Sequence, residues 1–68
     1  MMSSTIVNLK QIRKSKNLTQ ADLARLSGIG RAIIVDIENN THLPRVDIAI
    51  KVARALGATV EEIFVIKE

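Results

Sequence analysis

The stretch Leu18–Asn39, LTQADLARLSGIGRAIIVDIEN, determines the fold of this chain of 68 residues. Its spacing predicts two short helices that cross and are joined by a tight turn at Ser27 and Gly28. Glycine adopts a positive φ at such a turn without the steric cost that other residues meet there. The apolar residues that two crossed helices need for contact are Leu23, Ala24, Ile29, Ile34 and Ile37.

Two crossed helices with a tight turn between them form a helix-turn-helix, which here covers about residues 19–39. In this motif the second helix enters the major groove of DNA. The stretch therefore predicts both a fold, mainly α-helical, and a function, the binding of double-stranded DNA.

Capping signals delimit three helices in the first part of the chain. Leu9 and Ile12 lie three residues apart in a polar background, which is the pattern of a surface helix. Residues with short polar side chains, or without a side chain, are favoured at helix ends. The predicted boundary residues are Asn8 and Asn17 for the first helix, Thr19–Asp22 for the start of the second, Gly30 for the start of the third, and Asn39 and Asn40 for its end.

Two further helices follow a polar loop over residues 40–44. The fourth is predicted over Val46–Leu56, with Gly57 as its stop signal. Thr59–Glu62 is a capping box and opens a short fifth helix that runs through Phe64. The apolar positions of the fourth helix are Ala49, Ile50, Val52, Ala53 and Leu56.

The two ends of the chain break the helical pattern. Thr5–Val7 and Phe64–Ile66 are β-branched or aromatic, as strands favour. They can pair as a short antiparallel ribbon beside the helices. The alternative is a frayed N-terminus and a C-terminal extension packed on the core.

Composition indicates one small domain over residues 1–68, which can bury about 60% of its unfolded surface. Cysteine is absent and the first ten residues contain no long apolar run, so we expect a cytoplasmic protein without a signal peptide or a membrane span. His42 has no cysteine or carboxylate pair near it in sequence, so no metal site is expected. No catalytic constellation, cofactor motif or small-molecule site is recognisable, which makes a small enzyme the weakest of the alternatives.

Charge is distributed unevenly along the chain. Residues 1–35 carry six basic and one acidic side chain, a net charge of +5, whereas residues 36–68 carry four basic and six acidic side chains, a net charge of −2. The basic half contains both helices of the motif, which favours a polyanionic partner. Solvated lysines on any small domain give a milder version of the same bias.

The chain resembles the lambda-repressor-like (Cro/CI-type, XRE) helix-turn-helix family over about residues 8–64. The resemblance rests on LKQIRKSKNLTQADLA at Leu9–Ala24, on Ile37–Asn39, and on Pro44 followed by IAIKVARALGATVEEIF at Ile48–Phe64. It implies a compact all-α domain of five helices. It also implies a sequence-specific transcriptional regulator, expected to be a repressor that binds a palindromic operator as a homodimer.

The resemblance assigns roles to three further residues. Gln20, at the start of the second helix, would donate a hydrogen bond to a DNA phosphate, a place where free backbone N–H groups also favour anions. The alternative is a simple first residue of the helix. Arg13 and Glu38 would form a partly buried ion pair between the first and third helices; the alternative is two solvated charges.

The outward face of the third helix follows from its core face. Ile34 and Ile37 face the core, and successive residues of a helix are rotated by 100°. Arg31 is then expected at the edge of the outward face, at the N-terminal end of the helix. The residues expected to point outward are Ala32, Val35, Asp36 and Asn39. Arg31 can reach a guanine edge or a phosphate, and Ala32 and Val35 can touch thymine methyl groups.

The remaining candidate contacts lie at the end of the third helix and beyond it. Asn39 is either a DNA contact or only the helix C-cap, and Asp36 either accepts from a cytosine amino group or is solvated. Asn40, Thr41 and Arg45 are candidates for phosphate contacts.

Apolar residues near the C-terminus predict the dimer interface. These are Val60, Phe64 and Ile66, together with Ile48, which is expected off the core side of the fourth helix. A rival reading is an antitoxin or another protein-interaction module that also regulates its own operon. The apolar cluster Ala32, Ile33 and Val35 favours that alternative, since exposed apolar clusters mark partner sites.

Overall fold

A computed structural model describes residues 4–67 of the chain. All five predicted helices are present, and a strand lies at each end of the described part. In chain order the elements are β1 (Ser4–Val7), α1 (Leu9–Ser15), α2 (Gln20–Ser27), α3 (Arg31–Glu38), α4 (Val46–Leu56), α5 (Val60–Ile63) and β2 (Phe64–Lys67). Within this part, no helix is long and apolar enough to cross a membrane.

The core is aliphatic and lies where the helix-turn-helix meets α1, α4 and α5. Both inward positions predicted for α3, Ile34 and Ile37, are buried. Gly28, in the turn, has a φ of 72°, the left-handed conformation predicted for it. The buried cluster consists of Leu9, Leu23, Ile29, Ile34, Ile37, Val52, Ala53, Leu56 and Ile63.

Local capping chemistry fixes where the helices begin. Both predicted capping boxes form: Thr19 Oγ1 accepts from the backbone N–H of Asp22 at 3.0 Å, and Thr59 Oγ1 accepts from that of Glu62 at 3.1 Å. Asn8 occupies the N-cap position of α1, but its side chain makes no capping hydrogen bond. Its Nδ2 instead donates to the Glu62 carbonyl at 3.4 Å, because α5 packs beside the start of α1.

The terminal ribbon forms, so the alternative of a frayed N-terminal segment is wrong. β1 and β2 pair antiparallel, with Thr5 opposite Ile66 and Val7 opposite Phe64. The prediction that α5 runs through Phe64 is also wrong. α5 ends at Ile63, and Phe64 is extended at φ −115° because it already pairs with β1.

One prediction for α4 is corrected by the packing. Ile48, expected off the core side, is half-buried and packs against the core cluster, whereas Ile50 is 38% exposed. The core stripe of α4 is centred on its four buried residues, Ala49, Val52, Ala53 and Leu56. The two isoleucines lie on its opposite flanks, each about 90–110° from the centre. The neighbouring elements cover the flank of Ile48 and leave that of Ile50 open.

Candidate DNA-binding surface

A buried ion pair ties α1 to the end of α3. Arg13 Nε donates to Glu38 Oε2 at 2.7 Å, and Arg13 Nη2 donates to Glu38 Oε1 at 3.2 Å. The side chains are only 7% and 2% exposed, respectively. Arg13 Nη1 also donates to the Leu18 carbonyl at 2.6 Å, just before α2 begins. The pair predicted from the resemblance is thus present, and it is not the pair of solvated charges of the alternative.

Two opposing effects act on the carboxyl group of Glu38. Burial by itself raises its pKa, but hydrogen bonds from Arg13 and Gln20 outweigh burial and hold the pKa below the ordinary value of 4.5. The charged form is therefore the one that the fold stabilises.

Gln20, the first residue of α2, bridges the ion pair and the start of α3. Its Nε2 donates to Glu38 Oε1 at 3.0 Å, and its Oε1 accepts from Arg31 Nη2 at 3.5 Å. A carboxylate only accepts hydrogen bonds and a guanidinium only donates them, so only one orientation of the Gln20 amide can make both contacts. Within residues 4–67 its second N–H has no acceptor, so this N–H is free for a phosphate.

Sequence reasoning missed the contact between Gln20 and Glu38. The two residues are separated by 18 positions, so no helical spacing reveals the contact. The signal available was indirect. Once Arg13 is paired with Glu38, the hydrogen bond from Arg13 to the carbonyl of Leu18 brings the start of α2 beside the same carboxylate.

An open cleft of about 720 Å³ lies beside Gln20, and Lys14 and Arg31 are among its lining residues. The backbone N–H groups of Gln20 and Ala21 occupy the first turn of α2, where helices have no internal acceptors. Two cations, a helix N-terminus and an amide N–H together suit a phosphate group.

The exposed side of α3 agrees with the predicted orientation. Arg31, Ala32, Asp36 and Asn39 are exposed and Val35 is half-buried. Ile33, on the flank of this face, is 41% exposed. Asn39 is the C-cap of α3, the structural role that the sequence left open for it.

The three phosphate contacts predicted beyond α3 differ in how far their side chains are already engaged by other residues. Asn40 has a φ of 56°, and its Nδ2 donates to the Thr5 carbonyl at 3.3 Å, so its amide is engaged by β1. Thr41 is exposed, and Arg45 Nη2 lies 2.9 Å from Asp47 Oδ2 in an exposed pair. Solvent screens such a surface pair and makes it weak, so Arg45 can exchange Asp47 for another anion.

Comparison with known proteins agrees with this geometry. The helix-turn-helix family model HTH_3 matches residues 9–63, and the chain belongs to that family, a class of DNA-binding transcriptional regulators rather than enzymes. An uncharacterised HTH-type transcriptional regulator of Methanocaldococcus jannaschii is 38% identical over 60 residues, which cover 88% of this chain and 91% of that protein.

Two other similar proteins are longer than this chain. The immunity repressor of Bacillus phage phi105 is 38% identical over 55 residues, which cover 81% of this chain and 38% of the phage protein. The crystal structure of an HTH_3 family transcriptional regulator from Vibrio cholerae superposes with a TM-score of 0.74 at 31% identity. That match covers 79% of this chain and 30% of the Vibrio chain.

Removing one partner of the buried pair is expected to destabilise the fold. Glu38→Ala leaves the Arg13 guanidinium buried without its counter-ion, which costs about 3–5 kcal/mol of unfolding free energy. Asp47→Ala, which breaks the exposed pair with Arg45, is the matched control and is expected to cost much less, because solvent screens that pair. Urea titration of both variants measures the difference, and equal losses would contradict the role given to the buried pair.

The lowered pKa of Glu38 predicts acid lability with a defined sign. Its folded-state pKa lies below the ordinary 4.5, so its stabilising contribution is complete above pH 4.5 and is lost as the pH falls through the folded-state value. The unfolding free energy of the wild type is therefore expected to converge on that of Glu38→Gln as the pH is lowered from about 7 to about 3. If the difference in unfolding free energy between the two proteins stays constant over that range, the Glu38 carboxyl group is not the cause of the acid lability.

Proposed function

We propose that the protein represses transcription by binding a palindromic operator as a homodimer, with α3 in the major groove. The observation that carries this proposal is the position of α3. Its exposed face begins at Arg31, directly beside the phosphate-suited cleft at the start of α2. Similarity to a phage immunity repressor supports repression rather than activation. This function also supports the cytoplasmic location expected from the sequence.

An exposed cation at the cleft favours the same partner. Lys14 is exposed and lines the cleft, whereas Arg13 is neutralised by Glu38. An exposed lysine next to a helix N-terminus neutralises phosphate charge and releases counterions. The proposal therefore includes a phosphate backbone that runs along the start of α2.

Duplex binding that weakens steeply with salt is the expected result of this proposal. A duplex selected from a random pool should lose about 1–3 kcal/mol of binding free energy with Arg31→Ala if Arg31 reads a base. Arg54→Ala, which removes an exposed cation of α4, is the control and should bind like the wild type. Fluorescence anisotropy measures the affinities, and failure to recover any bound duplex at low salt would contradict the proposed function.

The homodimer is proposed to form through a C-terminal apolar patch of Val46, Ile50, Val60, Phe64 and Ile66. These side chains line a groove of about 470 Å³. Val46 is 74% and Ile66 65% exposed, and contiguous exposed apolar side chains mark interaction surfaces. Val60, Phe64 and Ile66 were predicted for the interface, whereas Ile48 packs against the core and is replaced in the patch by Val46 and Ile50.

Two recognition helices must lie about 34–36 Å apart to read successive major grooves, which a single copy cannot do. Ile66→Lys places a charge in the patch and is expected to give a monomer by sedimentation velocity at high micromolar concentration. Leu26→Lys, at a leucine that is 51% exposed and outside the patch, is expected to leave the dimer intact. A wild-type monomer both with and without DNA would contradict the dimer.

The apolar side chains on the exposed side of α3 support a second candidate function. Ala32, Ile33 and Val35 can seat a protein partner, as in an antitoxin that neutralises a toxin and regulates its own operon. A neighbouring gene for a toxin, protease or restriction enzyme would favour this function over that of a free-standing repressor.

A further inference from the structure

The recognition helix carries few groups that can form hydrogen bonds with bases. Between its two ends, the exposed or half-exposed side chains of α3, Glu38 aside, are Ala32, Ile33, Val35 and Asp36. Three of these four have no donor or acceptor, and Asp36 only accepts. Guanine O6 and N7 and adenine N7 are acceptors, so this central part of α3 offers them no donor.

The donors of α3 lie at its ends and not at its centre. The Arg31 guanidinium is 3.5 Å from Gln20 Oε1, which places it beside the start of α2 and the phosphate-suited cleft. Asn39 is the C-cap residue, one position beyond the last residue of the helix. Base discrimination at the centre of the helix must therefore come from apolar contact and from the single carboxylate.

The thymine C5-methyl group is the apolar feature that a base pair presents in the major groove. Ala32 and Val35 are three residues apart, about 4.5 Å along the helix axis, against about 3.4 Å between successive bases of one strand, so the two side chains can contact different bases. Asp36 adds an acceptor that suits the amino group of adenine or cytosine and repels the acceptors of guanine. A T·A pair offers both a methyl group and an adenine amino group.

We propose that the centre of each operator half-site is read through thymine methyl groups, which contact Ala32 and Val35. The proposal rests on the DNA-binding function above and names the class of DNA that this site takes: thymine-bearing half-sites in which the methyl group, and not only base pairing and shape, is required.

Replacement of thymine by deoxyuridine tests this directly, because deoxyuridine pairs as thymine does but lacks the methyl group. In a selected duplex, each central thymine is replaced singly, and affinity is measured by anisotropy at one salt concentration. The expected loss is roughly fourfold for each contacted methyl, the effect of one buried hydrocarbon carbon. The same replacement in the flanks of the duplex is the control and should change nothing.

A protein variant links the lost affinity to α3. In Val35→Ala the penalty for deoxyuridine at one central position should shrink toward onefold, while Arg54→Ala should keep the full penalty. Replacement of a central thymine by 5-methylcytosine should bind more tightly than replacement by cytosine, because the methyl group is restored. Circular dichroism melting of Val35→Ala checks that the variant is folded at the assay temperature.

The outcomes separate this proposal from the proposed function. Tight, salt-sensitive binding that is indifferent to every deoxyuridine replacement would overturn the methyl readout and leave the DNA-binding function standing. The same holds if the penalty is identical in Val35→Ala and the wild type. Failure to select any duplex would overturn both.

Discussion

The buried pair of Arg13 and Glu38 is the constraint on which the arrangement of the helices depends. A charge at low exposure is tolerated only when its partner and hydrogen bonds replace water. Glu38 accepts three hydrogen bonds, two from Arg13 and one from Gln20, and Arg13 donates its third to Leu18. No buried side-chain nitrogen or oxygen within residues 4–67 lacks a partner. Because these contacts are satisfied in one geometry only, they fix the end of α1, the start of α2 and the end of α3 relative to one another.

The same constraint shapes the DNA-binding surface. Ile34 and Ile37 anchor the inner face of α3 in the apolar core, and the ion pair anchors its last residue. Gln20 extends the polar network from Glu38 to Arg31 at the other end of α3. The recognition helix is thus positioned at its C-terminal end by the buried ion pair and along its length by packing. A preorganised surface of this kind loses less conformational entropy when it binds.

Sequence reasoning succeeded where the signal is local and failed where it depends on packing. The capping boxes at Thr19 and Thr59 and the left-handed Gly28 follow from residue chemistry within a few positions, and the structure confirms them. The burial of Ile48 and the exposure of Ile50 do not follow from local residue chemistry. Both residues lie on flanks of the core stripe of α4, and only the packing of neighbouring elements decides which flank is covered. The sequence alone does not decide whether the ribbon forms, because Thr5 and its partner Ile66 lie near opposite ends of the chain.

The Asn40 amide connects the proposed DNA-binding surface to the proposed dimer patch by a short path. Asn40 follows α3 and donates to the carbonyl of Thr5, and Thr5 lies opposite Ile66 in the ribbon. Ile66 belongs to the C-terminal apolar patch, so three residues lead from the end of the recognition helix to the surface on which a second copy would pack. The end of α3 and the proposed interface are therefore joined through the backbone of β1 rather than through the apolar core.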